Sequence, residues 1–198
     1  MFTRRQFYLY ALFLSILFFI ILFVSIRTGI SEDVIGVLPR INLHTLLLIS
    51  ISIALGFLIY SVECKVSVYL ASLLKKILKG RCIKEFSSTN SRSGGGIYAW
   101  IILSVVISIF EEFIWRGFLI ITLVDELGFS LLNGVLISSF LFGINHYYFG
   151  VQSVFLKMIS GFILGSLFIG TPSLLYPIIA HTIFNIIVYR KLNSCKNT

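Results

Sequence analysis

Three charged residues interrupt an apolar stretch in the middle of the chain: Glu111, Glu112 and Arg116. Ionisable groups inside a membrane helix are costly, so they are candidates for function by default. Glu112 and Arg116 are four residues apart, which places them on one helix face where they can pair. Glu111 points about 100° away from that face. A purely structural ion pair would explain Glu112 and Arg116 but not Glu111, so Glu111 is the carboxylate predicted to do chemistry.

Two histidines follow in later apolar segments. His146 ends one segment, and His181 lies four residues before Asn185 in another, so these two side chains point the same way. A single histidine in such a segment is more often a packed residue with a satisfied ring. A carboxylate and two imidazoles from three apolar helices would each need a buried polar partner. We therefore expect Glu111, His146 and His181 to surround a small wet cavity.

Such a cluster suits hydrolysis in more than one way. A carboxylate and an imidazole can deprotonate water, and an imidazole with a carboxamide can stabilise an oxyanion. Equally, Glu111, His146 and His181 could bind Zn²⁺ and leave one position open for water. The sequence contains neither H-E-x-x-H nor G-x-S-x-G, and its three cysteines lie away from the histidines in the predicted spans. A serine or cysteine nucleophile is therefore disfavoured.

The composition identifies the elements that hold these residues as membrane helices. Of the 198 residues, 58% are hydrophobic and 12% are charged, and the mean hydropathy is +1.00. Soluble domains are about 45–50% apolar and about 25% charged. These values exclude a disordered chain and argue against a soluble domain. Three cysteines are too few, and odd in number, for a disulfide scaffold.

Runs without Asp, Glu, Lys or Arg locate the spans, since about 20 apolar residues cross the hydrocarbon. The first run exceeds a signal peptide and precedes no cleavage motif, so we interpret it as a retained helix. The third continues past Arg116 to residue 124, and the last is divided at Pro172. The prediction is an all-α polytopic membrane protein with about six transmembrane helices, at 6–26, 41–62, 93–124, 129–147, 152–169 and 173–190.

Basic residues set the expected orientation. They concentrate before the first helix, in the segment 63–96 and at the C-terminus, which predicts cytoplasmic N- and C-termini. The net charge of +8 is then a matter of topology, not of nucleic-acid binding. Residues 66–78 are either an amphipathic helix on anionic lipids or a continuation of the second helix. A Ser- and Gly-rich linker, 87–96, separates a predicted N-terminal two-helix unit, 1–96, from a four-helix catalytic unit, 97–198.

Three motifs on successive helices resemble those of the CPBP family: Glu111-Glu112-x-x-x-Arg116, Phe142-x-x-x-His146 and His181-x-x-x-Asn185. This family comprises CAAX prenyl proteases, bacteriocin-processing and immunity proteins, and Abi-type intramembrane proteases. Each motif is weak alone, but the ordered trio, within about residues 97–190, is specific. The resemblance implies an intramembrane endopeptidase in which Glu111 and His146 activate water, and His181 and Asn185 form the oxyanion hole.

The function expected from this resemblance is glutamate-dependent cleavage of a small hydrophobic or lipid-tethered peptide in a bacterial cell membrane. Peptide maturation or bacteriocin self-immunity suits a short stand-alone chain better than prenyl-protein processing. Membrane lipids are the other expected partner, and no cofactor is required in this interpretation, although zinc stays open. Two alternatives remain: a non-proteolytic scaffold or immunity protein, and a proton-coupled transporter with Glu111 and His146 as relay. The absence of symmetric broken helices disfavours the transporter.

Overall fold

The structure, a computed structural model, describes residues 16–17, 19–21, 23, 42–77, 97–171 and 173–194. Every regular element in these parts of the chain is helical, in agreement with the predicted all-α class. The predicted first helix is described at six positions, all helical. Residues 27–40, between the first two predicted spans, and the linker 87–96 lie outside the described residues, as do Cys82 and Cys195.

The first complete helix, α1, spans Leu43–Ile77 and is longer than its uncharged run. Asn42 begins it as an N-cap, with Oδ1 accepting from the backbone N–H of Thr45 at 2.8 Å. Of the two interpretations of residues 66–78, continuation of the second helix is the one observed, through Ile77. Glu63, which the sequence placed in a cytoplasmic loop, consequently lies inside a helix.

The helix that carries the carboxylates changes its winding directly after them. Helix α2 spans Ile97–Glu112 and continues without a break as a π-helical segment, Phe113–Phe118. One α-turn, Leu119–Ile121, and a second π-helical segment, Thr122–Glu126, complete it. Wider π turns inside α-helices are frequent at functional sites. Here the first wide turn includes Arg116.

Three further helices complete the C-terminal part: α3 (Leu131–Asn145), α4 (Val151–Gly170) and α5 (Leu175–Ser194). Their bounds lie within a few residues of the predicted spans. A short 3₁₀ turn, Tyr147–Phe149, joins α3 to α4. Gly150 then begins α4 with φ of 98°, a conformation that residues with a Cβ rarely adopt.

Helix pairs in close contact position the site. Helix α3 packs most extensively against α4, and α1 against α5, while α2 also contacts α5. Glycine makes both main contacts possible. A Cβ at Gly143 of α3 would meet Met158 and lie 2.7 Å from the Val154 carbonyl oxygen. A Cβ at Gly56 of α1 would lie 2.6 Å from the carbonyl oxygen of Ala180, next to His181.

Two of the described helices are long and apolar enough to cross a membrane, the segment Leu43–Leu70 and α4. Helix α3 and the segment Leu175–Val188 are apolar but shorter. Many large apolar side chains face outwards, including those of Leu43, Leu132 and Phe140. An apolar exterior of this kind suits a lipid surrounding. The count of six spans stays a prediction.

Candidate active site

Five of the six residues predicted from the motifs are buried together between the helices. Glu111, Glu112 and Arg116 are each at most 2% exposed. His146, at the end of α3, and His181, on α5, are also buried. An ionised group without a partner would be very unfavourable in such a place. The contacts of each charge therefore decide what this cluster can do.

Glu112 binds two partners through one oxygen. Its Oε1 accepts from Nη1 of Arg116 at 3.0 Å, so the ion pair expected from the spacing is present. The same Oε1 lies 2.6 Å from Nδ1 of His181, which must therefore carry the proton and donate. Glu112 thus holds a cation and an imidazole through Oε1 alone, while its buried Oε2 accepts no hydrogen bond from the described residues.

Glu111 faces both histidines through their Nε2 atoms. Its Oε2 lies 3.4 Å from Nε2 of His181, and its Oε1 lies 3.9 Å from Nε2 of His146. The second distance is too long for a direct hydrogen bond. The expected convergence of Glu111, His146 and His181 from three helices is therefore what the structure has.

The ring of His146 is held in one tautomer. Its Nδ1 lies 2.8 Å from the backbone oxygen of Phe142, and since a carbonyl only accepts, Nδ1 carries the proton. In the neutral ring Nε2 is then an acceptor, directed towards Glu111. The Phe142 ring packs edge-on against His146, with centroids 4.7 Å apart. Phe149 stacks on the other side at 5.7 Å.

Asn185, one turn after His181 on α5, also has a partner on another helix. Its Nδ2 donates to Oγ of Ser108 at 3.2 Å, on α2. Ser108 is completely buried and lies one turn before Glu111 and Glu112. The motifs do not include this serine. Its position could have indicated it, because Ser108 lies three residues before Glu111 and four before Glu112, on neighbouring helix positions.

Arg116 is anchored on three sides. Besides Glu112, its Nη2 donates to the backbone oxygen of Gly161 on α4 at 3.3 Å. Its guanidinium also lies 4.6 Å from the centroid of the Phe142 ring, a cation–π distance. Gly161 permits this approach, since a Cβ there would lie 3.1 Å from Phe142 and Ser139. The arginine thus joins α2, α3 and α4 beside the carboxylates.

Metal binding was the open alternative for this cluster. Within the described part of the chain, no three His, Cys, Asp or Glu side chains are arranged to hold a metal ion. Nε2 of both histidines faces Glu111, but Nδ1 of His181 is occupied by Glu112. Zinc at Glu111, His146 and His181 stays the alternative to the metal-free prediction, to be decided by experiment.

Comparison with known protein families gives a match in the C-terminal half of the chain. Residues 93–187 are similar to the family model described as "Rce1-like: Type II CAAX prenyl endopeptidase Rce1-like". The matched segment includes α2, α3 and α4, most of α5, and all six predicted site residues, whereas α1 lies outside it. No curated protein and no solved structure matches the chain. The match agrees with the family that the three motifs indicated.

Proposed function

Since residues 93–187 match the family model described as Rce1-like type II CAAX prenyl endopeptidase, we propose that this protein is an intramembrane endopeptidase with Glu111 as general base. The observation that carries the proposal is the relation between Glu111 and His146. Their facing Oε1 and Nε2 atoms are both acceptors and lie 3.9 Å apart. One water donating two hydrogen bonds of about 2.8 Å bridges acceptors about 4–4.5 Å apart, so a small separation of these two atoms would admit it.

In this mechanism the bridging water donates one hydrogen to Glu111 and the other to His146. Its oxygen lone pair attacks the scissile carbonyl carbon while Glu111 takes the proton. The protonated Glu111 then gives that proton to the amine that leaves when the C–N bond breaks. Burial strengthens each of these interactions because little water competes. His146 orients the water, since its tautomer is held by Phe142.

The developing oxyanion needs hydrogen-bond donors, and His181 and Asn185 are the proposed ones. Because Nδ1 of His181 donates to Glu112, Nε2 can donate as well only in the imidazolium form. Asn185 uses one amide hydrogen for Ser108 and retains a second. Glu112 and Arg116 act on the reaction indirectly, by holding His181.

The proposed substrate is a small hydrophobic or lipid-tethered peptide, reached within a bacterial cell membrane by a multi-pass protein with both termini cytoplasmic. Two features support this choice: the apolar surroundings of the site and the family's prenyl-peptide cleavage named in its description. Peptide maturation and bacteriocin self-immunity are the biological roles we propose.

Comparative peptidomics of membranes tests the proposal. Membranes containing the wild-type protein should accumulate cleaved peptides that are absent with Glu111→Gln. Glu126→Gln, which changes an exposed carboxylate at the end of the second π-helical segment, Thr122–Glu126, is the matched control and should behave as wild type. If Glu111→Gln and the wild type give identical peptides while the protein still confers its phenotype, a non-proteolytic scaffold or immunity role is correct instead.

A further inference from the structure

A second polar cluster lies between α1 and α4, outside the six motif residues. Oε1 of Glu63 accepts from Nζ of Lys157 at 3.0 Å and from Oγ of Ser160 at 2.6 Å. The Glu63 and Lys157 side chains are each only 15% exposed. A charge-assisted pair with so little solvent is held more firmly than a surface salt bridge. Glu63 therefore ties α1 to two positions of α4.

This cluster continues to the helix that carries His181. The ammonium of Lys157 lies 4.0 Å from the ring centroid of Phe184 on α5, a close cation–π contact. Phe184 directly precedes Asn185 and packs with Ile59 of α1 in one buried group. Lys157, Ser160 and His181 all line a single cleft. The Glu63 cluster and the candidate active site are therefore adjacent.

A chain of contacts also joins Glu63 to the carboxylates. Ser160, held by Glu63, is followed by Gly161, whose carbonyl accepts from Arg116 at 3.3 Å. Arg116 in turn holds Glu112 at 3.0 Å, and Glu112 holds His181 at 2.6 Å. Each link is a hydrogen bond or a peptide unit. A displacement of α4 at Ser160 would therefore reach the His181 ring.

We propose that Glu63 is a positioning residue of the peptidase site, supplied by α1 from outside the segment that matches the family. It does not contact the reacting atoms. By fixing Ser160 and Lys157 it sets the place of the Gly161 carbonyl and of Phe184, and through them the orientation of His181. The kinetic test of this inference rests on the proposed function, whereas the test by histidine resonances does not.

Another contact between the same two helices provides a matched control. Nε2 of Gln152 donates to the backbone oxygen and to Oγ of Ser67, both at 2.8 Å. This contact also joins α4 to α1, but it has no link to Arg116. If α1 merely supports the bundle, losing Gln152 and losing Glu63 should have similar effects. If Glu63 positions the site, only its loss should alter His181.

The experiment compares Glu63→Gln, Gln152→Ala and wild type in detergent micelles or nanodiscs, with all histidines labelled with ¹⁵N. The chain has three histidines, and His44, near the start of α1, serves as an internal reference. We expect Glu63→Gln to shift the His181 imidazole resonances and leave those of His44 in place. Gln152→Ala should lower the thermal midpoint without shifting His181. Ser160→Ala, which removes one hydrogen bond to Glu63, provides a second variant if Glu63→Gln does not fold.

Kinetics on a prenylated peptide give the second readout. Glu63→Gln should lower kcat by roughly 10- to 100-fold, the scale of a small misplacement of catalytic groups, and leave KM unchanged. Unchanged His181 resonances, or equal kcat losses in Glu63→Gln and Gln152→Ala, would overturn the positioning role. A wild-type protein that cleaves no peptide would contradict only the proposed function. The role of Glu63 would then be decided by the histidine spectrum, which needs no substrate.

Discussion

Oε1 of Glu112 lies 2.6 Å from Nδ1 of His181, on a helix 69 residues further along the chain. The same oxygen holds Arg116 at 3.0 Å. Two adjacent carboxylates on one helix therefore have different tasks. Glu112 is enclosed between a cation and an imidazole, whereas Glu111 is directed at the Nε2 atoms of both histidines. The first prediction follows from this division.

Glu111→Gln and Glu112→Gln should fail in different ways. Glu112→Gln leaves the buried Arg116 without its counter-charge, and breaking a buried pair costs about 3–5 kcal/mol. It should lower the thermal midpoint and the folded yield together with activity. Glu111→Gln should abolish activity at nearly normal yield. Thermal unfolding and turnover of the purified variants measure both effects, and the reverse pattern would mean that the two roles are exchanged.

The donors and the general base should differ in how much activity survives their loss. Removing one oxyanion donor costs about 10²–10³ in kcat, so Asn185→Ala should retain measurable turnover. Glu111→Ala and His146→Ala should retain none above background, because no water is then activated. Ser108→Ala, which removes only the hydroxyl that holds Asn185, should cost less than Asn185→Ala. A Ser108 variant less active than the asparagine variant would contradict this assignment.

The contact of α3 with α4 should tolerate no added methyl group at its closest point. A Cβ at Gly143 meets Met158 and the Val154 carbonyl oxygen, and overpacking costs about 1–3 kcal/mol. Gly143→Ala should therefore lower the thermal midpoint and displace His146, three residues later. Gly170→Ala is the matched control, because nothing lies within 4 Å of a Cβ there. Equal midpoints for the two variants would show that α3 and α4 are less closely packed.

Metal dependence can be separated from peptidase activity. In the metal-free mechanism a chelator leaves the wild type active, and His181→Ala retains more turnover than His146→Ala. If both histidines are zinc ligands, either substitution removes the metal and abolishes activity equally. Metal analysis of the purified protein, together with chelator titration, distinguishes the two. A stoichiometric metal and chelator sensitivity would replace the metal-free mechanism but not the peptidase assignment.

The predicted orientation can be tested by cysteine labelling in intact cells. With Cys64 and Cys195 replaced by serine, a membrane-impermeant maleimide should not reach Cys82 from outside. In a cysteine-free background, Glu126→Cys should be labelled, because the turn after the second π-helical segment lies on the opposite side in the six-helix prediction. Efficient external labelling of Cys82 would refute cytoplasmic placement of the segment 63–96.

Local spacing predicted part of the site well. The Glu112–Arg116 pair follows from a separation of four residues, and it persists although Arg116 lies in a π-helical turn. The bounds of α3, α4 and α5 followed from apolar runs within a few residues, whereas α1 continues to Ile77, past its predicted end at residue 62. The six-residue list and the division into units 1–96 and 97–198 stay predictions, since they concern activity and independent folding.

Contacts between distant helices could not be predicted in the same way. Nothing local indicates that Glu112 rather than Glu111 receives Nδ1 of His181, or that Ser108 binds Asn185. Glu63 was grouped with a basic loop because the uncharged run ended before it, yet α1 continues through it. Lys157 indicated a buried partner, since a lysine inside an apolar helix needs an anion. The sequence could not show that this anion is Glu63, 94 residues away.

Helix α3 is shorter than the hydrocarbon layer is thick, and this bears on how water reaches the active site. Its 15 residues span about 22 Å at 1.5 Å per residue, against a hydrocarbon thickness of about 30 Å. If α3 spans the membrane as the sequence predicts, local thinning of the bilayer is one way to accommodate so short a helix. His146 follows the last residue of α3, so thinning there brings the lipid headgroups and their hydration towards the ring. Water would then reach a peptidase site buried among lipids through the thinned part of the bilayer.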